Sequence, residues 1–252
     1  MNDEPQQLAL IPSDSDDAVE PYFLHGGFCV VGLPHTRPQF EHQSWIRSIP
    51  GYSLTIRPGE VTIENRSVAV GLPYGPVARL INIYLHSEAT KTRSPMIDVG
   101  RSMHDWFRRL DMSVNGQNYS RVRDQLWRIA RSSLTIKRED ERSFQLQDAR
   151  MISGLDALKD ESGGWIRTIE IAPEFFEHLQ RHATPIDPQA IAALKSSSLA
   201  LDVYLYLANR LPKLKSPLRL TWHDLGNHFG GLDASRTRAA ISGEGEDEKG
   251  GG

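Results

Sequence analysis

Apolar and polar positions divide the chain into short extended runs and longer stretches of helical spacing. Phe28 to Leu33 is continuously apolar, and Tyr52 to Ile56 and Val61 to Glu64 follow, each bounded by glycine or proline. This pattern predicts strands of a small leading sheet, with Gly59-Glu60 turning between two of them and Trp45 and Ile46 packing on it. Gly71-Leu-Pro-Tyr-Gly-Pro then introduces the first clear helix. Pro76 suits a first helical position, and Val77, Leu80, Ile81, Tyr84, Leu85 and Glu88 keep helical spacing, all but the last apolar. Ser94-Pro95 ends that pattern and Met96 to Val99 predicts a short strand. A second helix carries Met103, Trp106, Phe107 and Leu110 on one face and Arg101, Asp105 and Arg108 on the other.

The stretch from Ser120 to Glu139 organises the rest. Asn118 and Ser120 both suit a helix N-cap, so the helix is expected to start near Tyr119. Val122, Leu126, Ile129 and Ser133 fall on one side; Arg121, Gln125 and Arg128 share the opposite face, with Asp124 and Arg131 on its flank. Trp127, also on the flank, reads as core. Ser133 to Ile136 are strand formers, Glu139-Asp140-Glu141 is a polar turn, and Ser143 to Leu146 alternates, which predicts a hairpin. Helix, short strand, helix, turn, basic helix, hairpin is the order of a winged helix. Ser120, Arg121, Asp124, Gln125, Arg128 and Arg131 are therefore the candidate base-reading residues, because Arg bonds two acceptors on guanine and Gln pairs with the adenine edge. Lys137, Arg138 and Arg142 on the wing, with Lys91, Arg93, Arg101 and Arg108 around it, are the candidate phosphate contacts. Tyr119 reads as a helix-start aromatic packing on the wing or on sugar-phosphate.

Beyond Arg150 the polar, turn-rich LDALKDESGG predicts a linker over residues 151–164. A second unit would start with a strand from Trp165 to Ile171, a helix from Pro173 to His182 and a longer or broken one from Ala190 to Leu211. Shifting the chain against itself by 122 residues brings Tyr84 onto Tyr206, Leu85 onto Leu207, Ser94-Pro95 onto Ser216-Pro217, Met103 onto Leu225 and Phe107 onto Phe229. That self-similarity predicts two copies of one architecture. The second copy of the basic helix would fall on ISGEGEDEKGGG, where five glycines and four acids among twelve residues disfavour a helix and repel phosphate. Arg236 and Arg238 would offer weak backbone contacts at most. The expected fold is α+β: tandem winged-helix domains behind a small N-terminal β segment, the second one incomplete. Its expected parts are a disordered acidic lead-in (1–22), strands and first domain (23–150), linker (151–164), second domain (165–232) and disordered tail (233–252).

Charge sharpens this picture. The net charge of −3 hides eleven Lys and Arg against four Asp between Lys91 and Arg138, while residues 1–20 hold six acids and no base. Such concentration is the footprint of a phosphate-binding surface. Cys29 is the single cysteine, which excludes an internal disulfide and any multi-cysteine metal site. The longest apolar run, Leu199 to Leu211, is broken by Asp202 and Asn209 and is too short for a membrane span. His178 and His182 stand one helical turn apart near Glu174 and Glu177, but no HExxH pattern accompanies them, so no metal, cofactor or catalytic residue is expected. Gly163-Gly164 lacks the Gly-Lys-Ser/Thr of a phosphate loop. The residues alone leave open a winged-helix transcriptional regulator, or an interaction module whose basic face meets an acidic protein.

GLPYGPVARLINIYLHSEATKTRS, DVGRSMHDWFRRLDM, NG and RVRDQLWRI together resemble the RepA type of plasmid replication initiator proteins. That family's pattern has a Gly-Leu-Pro-Tyr-Gly entry, a Thr-Glu-Ala-like helix end, a Gly-x-Ser-Leu helix and an Arg-x-Arg-x-Gln helix. The matching residues are Gly71 to Gly75, Ser87-Glu88-Ala89, Gly100-Arg101-Ser102-Met103 and Arg121-Val122-Arg123-Asp124-Gln125. The likeness covers about residues 28–230 and is strongest from 71 to 138. It implies a DNA-associated protein of the bacterial cytoplasm that binds repeated double-stranded DNA sites at a plasmid origin, opens the origin with host replication factors and forms a homodimer. Repression of its own promoter is a further implied role. The chain departs from the pattern after Phe229, where relatives continue into another basic helix and strands.

Overall fold

A computed structural model describes residues 19–63, 65–100, 102–110, 112–139, 144–158 and 165–230. The chain runs through β1 (Tyr22–His25), α1 (Gly26–Val30), β2 (Trp45–Ile49), β3 (Tyr52–Arg57), β4 (Glu60–Ile63), β5 (Arg66–Ala69), α2 (Gly75–Thr92), β6 (Met96–Asp98), α3 (Met103–Arg109) and α4 (Gly116–Arg131). It continues through β7 (Ser133–Arg138), β8 (Phe144–Arg150), β9 (Ile152–Leu158), β10 (Trp165–Ile171), α5 (Pro173–His182), β11 (Ala183–Ile186), α6 (Pro188–Leu194), α7 (Ser198–Arg210) and α8 (Trp222–Phe229). The class is α+β, as expected. The described residues up to Lys213 form one compact unit, and those from Leu214 to Gly230 belong to a second, in which α8 is the one described helix.

α2 is the axis of the larger unit. From Ala78 to Ser87 every residue is buried, including Arg79, Asn82 and His86, so this helix has no solvent face over nearly three turns. Its entry needs glycine: Gly71 and Gly75 have φ of 82° and 75°, where a β-carbon clashes with the backbone. Buried Arg79 makes a bidentate pair with Asp202 of α7 (Nε–Oδ1 and Nη2–Oδ2, both 2.7 Å) and donates to the carbonyls of Leu33, Pro34 and Gly75. Burial works against the Asp202 carboxylate, yet Arg79 and His35 together hold its pKa below the ordinary value. α1, α2 and α7 are packed around that pair.

Among the described residues the strands form four antiparallel arrangements, β1-β11, β6-β10-β9, β2-β3-β7-β8 and β4-β5. The largest presents Leu54, Ile56, Leu134, Ile136, Leu146 and Ala149 to the core, alternating with polar residues on the other face. Trp45 and Ile46 do not merely pack on this sheet; they open its edge strand. The apolar run from Phe28 is a further correction. Its first half, Phe28 to Val30, belongs to the short helix α1, capped by His25, whose Nδ1 accepts from the Gly27 amide at 3.0 Å. A continuous apolar run carries no period of its own, so burial from all sides fits either helix or strand.

The expected linker is also corrected. Residues 152–158 form β9, which pairs with β10, and β10 pairs in turn with β6 from the first half. Together with β1-β11 and the Arg79–Asp202 pair, this makes the two halves interleave up to Lys213, and the division between compact units falls there, not at residues 151–164. Helix α5 matches its expected bounds, and the next helix is broken into α6 and α7. The 122-residue shift carries α2 onto α7 and the start of α3 onto the end of α8, whereas the residues matching β6, Leu218 to Leu220, carry no strand. The lead-in before Val19 and the tail after Gly230, with Arg236 and Arg238, lie outside the described residues.

Candidate nucleic-acid interface

α3 buries Trp106 and Phe107, and Leu110 closes its end, which anchors the turn into α4. Ser102 caps α3 by accepting from the Asp105 amide at 3.2 Å. α4 starts earlier than its composition predicts: Asn115 is the N-cap, accepting from the Asn118 amide at 2.8 Å, and the helix begins at Gly116. Asn118 is inside the helix, where its side chain donates to the Ser113 carbonyl at 2.9 Å. Val122, Leu126 and Ile129 are buried as expected, and Ser132 ends the helix before β7 and β8 form the hairpin.

The polar side of α4 is split in two. Gln125 and Arg128, placed by helical spacing on the solvent face, are only 4% and 5% exposed. Gln125 accepts from the Tyr74 amide at 2.9 Å and donates to Asp124. Arg128 donates to Glu41 at 2.5 Å, to the Leu72 carbonyl at 3.1 Å and to Asp124 at 2.9 Å, and its guanidinium lies 5.2 Å from the Tyr74 ring centre. The Gly71 to Gly75 entry of α2 and the segment around Glu41 cover this part of the helix. These two residues are thus committed inside the protein and are withdrawn from the base-reading set. Hydrogen bonds from Arg37, and then from Arg128 against the cost of burial, hold the Glu41 carboxyl down at about 2.

Ser120, Arg121, Arg123 and Arg131 are exposed and Asp124 is half-exposed. None of these three arginines makes an ion pair among the described residues. Arg123 lies 5.8 Å from the Tyr119 ring centre and Arg131 lies 5.4 Å from that of Trp127, which holds the guanidinium groups over aromatic faces. Trp127 is half-buried rather than core. Arg123 is absent from the candidate set, although at about 100° per residue it lies no nearer the apolar side than Gln125 does. Its signal is the Tyr119 four residues before it, a neighbour on the same helix surface.

On the hairpin, Lys137 and Arg138 point to opposite faces of the sheet, since side chains alternate along a strand. Arg138 shares the face of buried Leu134 and Ile136 and lies 5.6 Å from the Tyr52 ring centre; half-exposed Lys137 is on the other face. Lys91 and Arg93 sit at the opposite end of α2 from the loop that α4 clamps. Lys91 pairs there with Glu20 at 3.2 Å, and Arg93 is the exposed left-handed C-cap. Exposed Arg108 pairs with Asp105 at 3.1 Å. Arg101 and Arg142 lie outside the described residues.

His178 and His182 belong to a different construction. His25 Nε2 lies 2.7 Å from His178 Nδ1, the His25 amide donates to His86 Nδ1 at 3.3 Å, and His86 Nε2 lies 3.1 Å from Met151 Sδ. Burial pushes His86 down to about 3; burial followed by neighbouring His182 and Arg181 pushes His178 down to about 4. His25 is carried well below its ordinary value by burial and then by the other histidines. These rings form a cluster joining β1, α2 and α5, in which His25 stacks on His178 with ring centres 4.9 Å apart and burial disfavours the charged forms. Among the described residues no group of three or more His, Cys, Asp or Glu is placed to hold a metal, and no helix is long and apolar enough to cross a membrane.

Among solved structures, the chain is similar to RctB domains 2–3, with TM-score 0.49 and 14% identity over 89% of this chain and 85% of that one. A structure of selenomethionine derivatives of RctB domain 2 and domain 3 gives TM-score 0.46 and 15% identity over 88% and 86%. No curated protein matches. The family described as Plasmid encoded RepA protein matches residues 72–223, which begin in the loop clamped by α4 and end in α8. Because that match spans more than half of the chain, the protein belongs to the plasmid-encoded RepA family.

Proposed function

We propose that this protein is a plasmid replication initiator that binds repeated duplex DNA sites at an origin through α4 and the β7-β8 hairpin. The observation that carries the reading is the outer side of α4, where Arg121, Arg123 and Arg131 are exposed and make no ion pair among the described residues. Along the chain, α2, β6, α3, α4, β7 and β8 follow the winged-helix order, in which the helix after the turn enters the major groove, although β6 pairs with β10 of the β9-β10 hairpin and β7-β8 joins β2-β3. In this reading Ser120, Arg121, Arg123, Asp124 and Arg131 meet base edges or phosphate, and Lys137 contacts phosphate from the hairpin; their exposure supports it. Binding to its own promoter, homodimer formation and recruitment of host replication factors belong to this reading. The protein acts by binding, without catalysis, as a DNA-associated protein of the bacterial cytoplasm.

The test is binding of the full chain to a duplex carrying its plasmid's candidate origin repeats, against a scrambled duplex, at several salt concentrations. Preference for the repeats, with log affinity falling linearly as log salt rises, is the expected result. Binding to neither duplex at physiological salt would overturn the DNA reading and favour an acidic protein partner for the basic face. Equal binding to both would reduce α4 to a phosphate contact.

A further inference from the structure

The segment from Leu33 to Glu41 has little secondary structure of its own, yet it is fixed at both ends. At one end, the carbonyls of Leu33 and Pro34 accept from Arg79 at 2.6 and 3.1 Å, and His35 Nε2 lies 2.9 Å from Asp202 Oδ2. The His35 carbonyl also accepts from the Ser198 hydroxyl at 3.0 Å, so this end is attached to both α2 and α7. At the other end, Glu41 accepts from Arg128 of α4 at 2.5 Å and from Arg37 at 3.0 Å, while its backbone carbonyl accepts from the Leu72 amide at 2.9 Å. Only residues 36–40 separate the two anchors.

The contact at Glu41 is close-fitting. A β-carbon on Gly71 would lie 2.5 Å from Arg128 Nη1 and 2.9 Å from Glu41 Oε2, so the loop lies directly against the ion pair. Glu41 thereby ties the inward-turned Arg128 of α4 to a segment that is itself anchored on α2 and α7.

We propose that Glu41 is a positioning residue for the DNA-reading helix: from the end of the Leu33–Glu41 strap it fixes the rotation of α4 through Arg128, and thereby decides which side chains face the bases. This inference rests on the DNA reading above. Glu41 itself is 9% exposed and meets no base. Phosphate attraction depends on how many cations are presented, whereas base discrimination depends on the angle at which they are presented. Loosening the clamp therefore lowers discrimination while leaving the salt dependence in place.

Glu41→Gln keeps the shape and removes the charge; Gly71→Ala strains the same contact from the loop side. In the full chain each variant is expected to lose roughly tenfold of the preference for origin repeats over a scrambled duplex, on the scale of one mismatched base pair. The slope of log affinity against log salt should stay at the wild-type value, and amide exchange should quicken at Leu72 and Tyr74. A proportional loss on both duplexes, matching the fraction unfolded, would show a purely structural role and overturn the proposal. Unchanged preference despite quickened exchange would overturn it as well. If the wild-type chain itself shows no preference, the DNA reading fails; loss of the positioning role alone requires a discriminating wild type.

Discussion

Arg121→Ala and Arg128→Ala remove the same side chain from one helix, and their surroundings assign them different outcomes. Arg121 is exposed, so its loss should leave stability within about 0.5 kcal/mol and relax sequence preference by roughly 1–3 kcal/mol if it contacts a base. Competition binding with repeat and random duplexes measures this, and equal losses on the two would reassign Arg121 to phosphate. Arg128→Ala instead leaves the Glu41 carboxylate with Arg37 as its remaining guanidinium partner and strips the buried Leu72 carbonyl of a donor. Losing such a buried, hydrogen-bonded partner costs on the order of 1–3 kcal/mol, which urea unfolding would detect. A variant with the wild-type midpoint would contradict the clamp. Glu41 adds an acid window: its folded pKa of about 2 lies below the ordinary 4.5. Its contribution is therefore full above about pH 4.5 and is lost as pH falls toward 2.

Between elements, the neutral histidines of β1, α2 and α5 act in a higher pH range. In the folded chain His178 titrates near 4 and His86 near 3, against 6.5 when unfolded. The unfolded chain thus binds more protons between these limits, and stability falls as pH drops below about 6.5, before Glu41 begins to titrate. The urea midpoint measured from pH 7 to 5 should decline, and His178→Asn should flatten that decline. A midpoint independent of pH over this range would show that the cluster is not held neutral. The hairpin obeys a simpler rule, strand alternation, which separates Lys137 from Arg138 although they are adjacent in sequence.

At the scale of the whole molecule, Arg79–Asp202 and the sheet β6-β10-β9 join sequence halves that read as separate domains. Asp202→Ala should therefore destabilise the entire unit up to Lys213, with helix content and Trp106 burial lost in one transition. Two separated transitions by circular dichroism and fluorescence would restore the two-domain view. The periods of α2, α3 and α4, the hairpin after α4, the strand at Trp165 and the helix at Pro173 were legible because each depends on spacing within a few residues. The basic stretch between Lys91 and Arg138 was legible for the same reason, since charge is written directly in the residue types. The inward turn of Gln125 and Arg128 was not, because helical spacing gives an angle around the axis without saying which segment will cover it. Glu41 and the Gly71 loop come from 84 and 54 residues before Gln125 and decide that question by burying the site. Nor could composition show that the polar stretch after Arg150 opens with β9, whose partner β10 is in turn held by β6. Local spacing and residue type settled α2, α3, α4, the hairpin after them and where their charge lies. Tertiary structure alone decided which arginines remain available to a ligand, because exposure depends on contacts between segments distant in the chain.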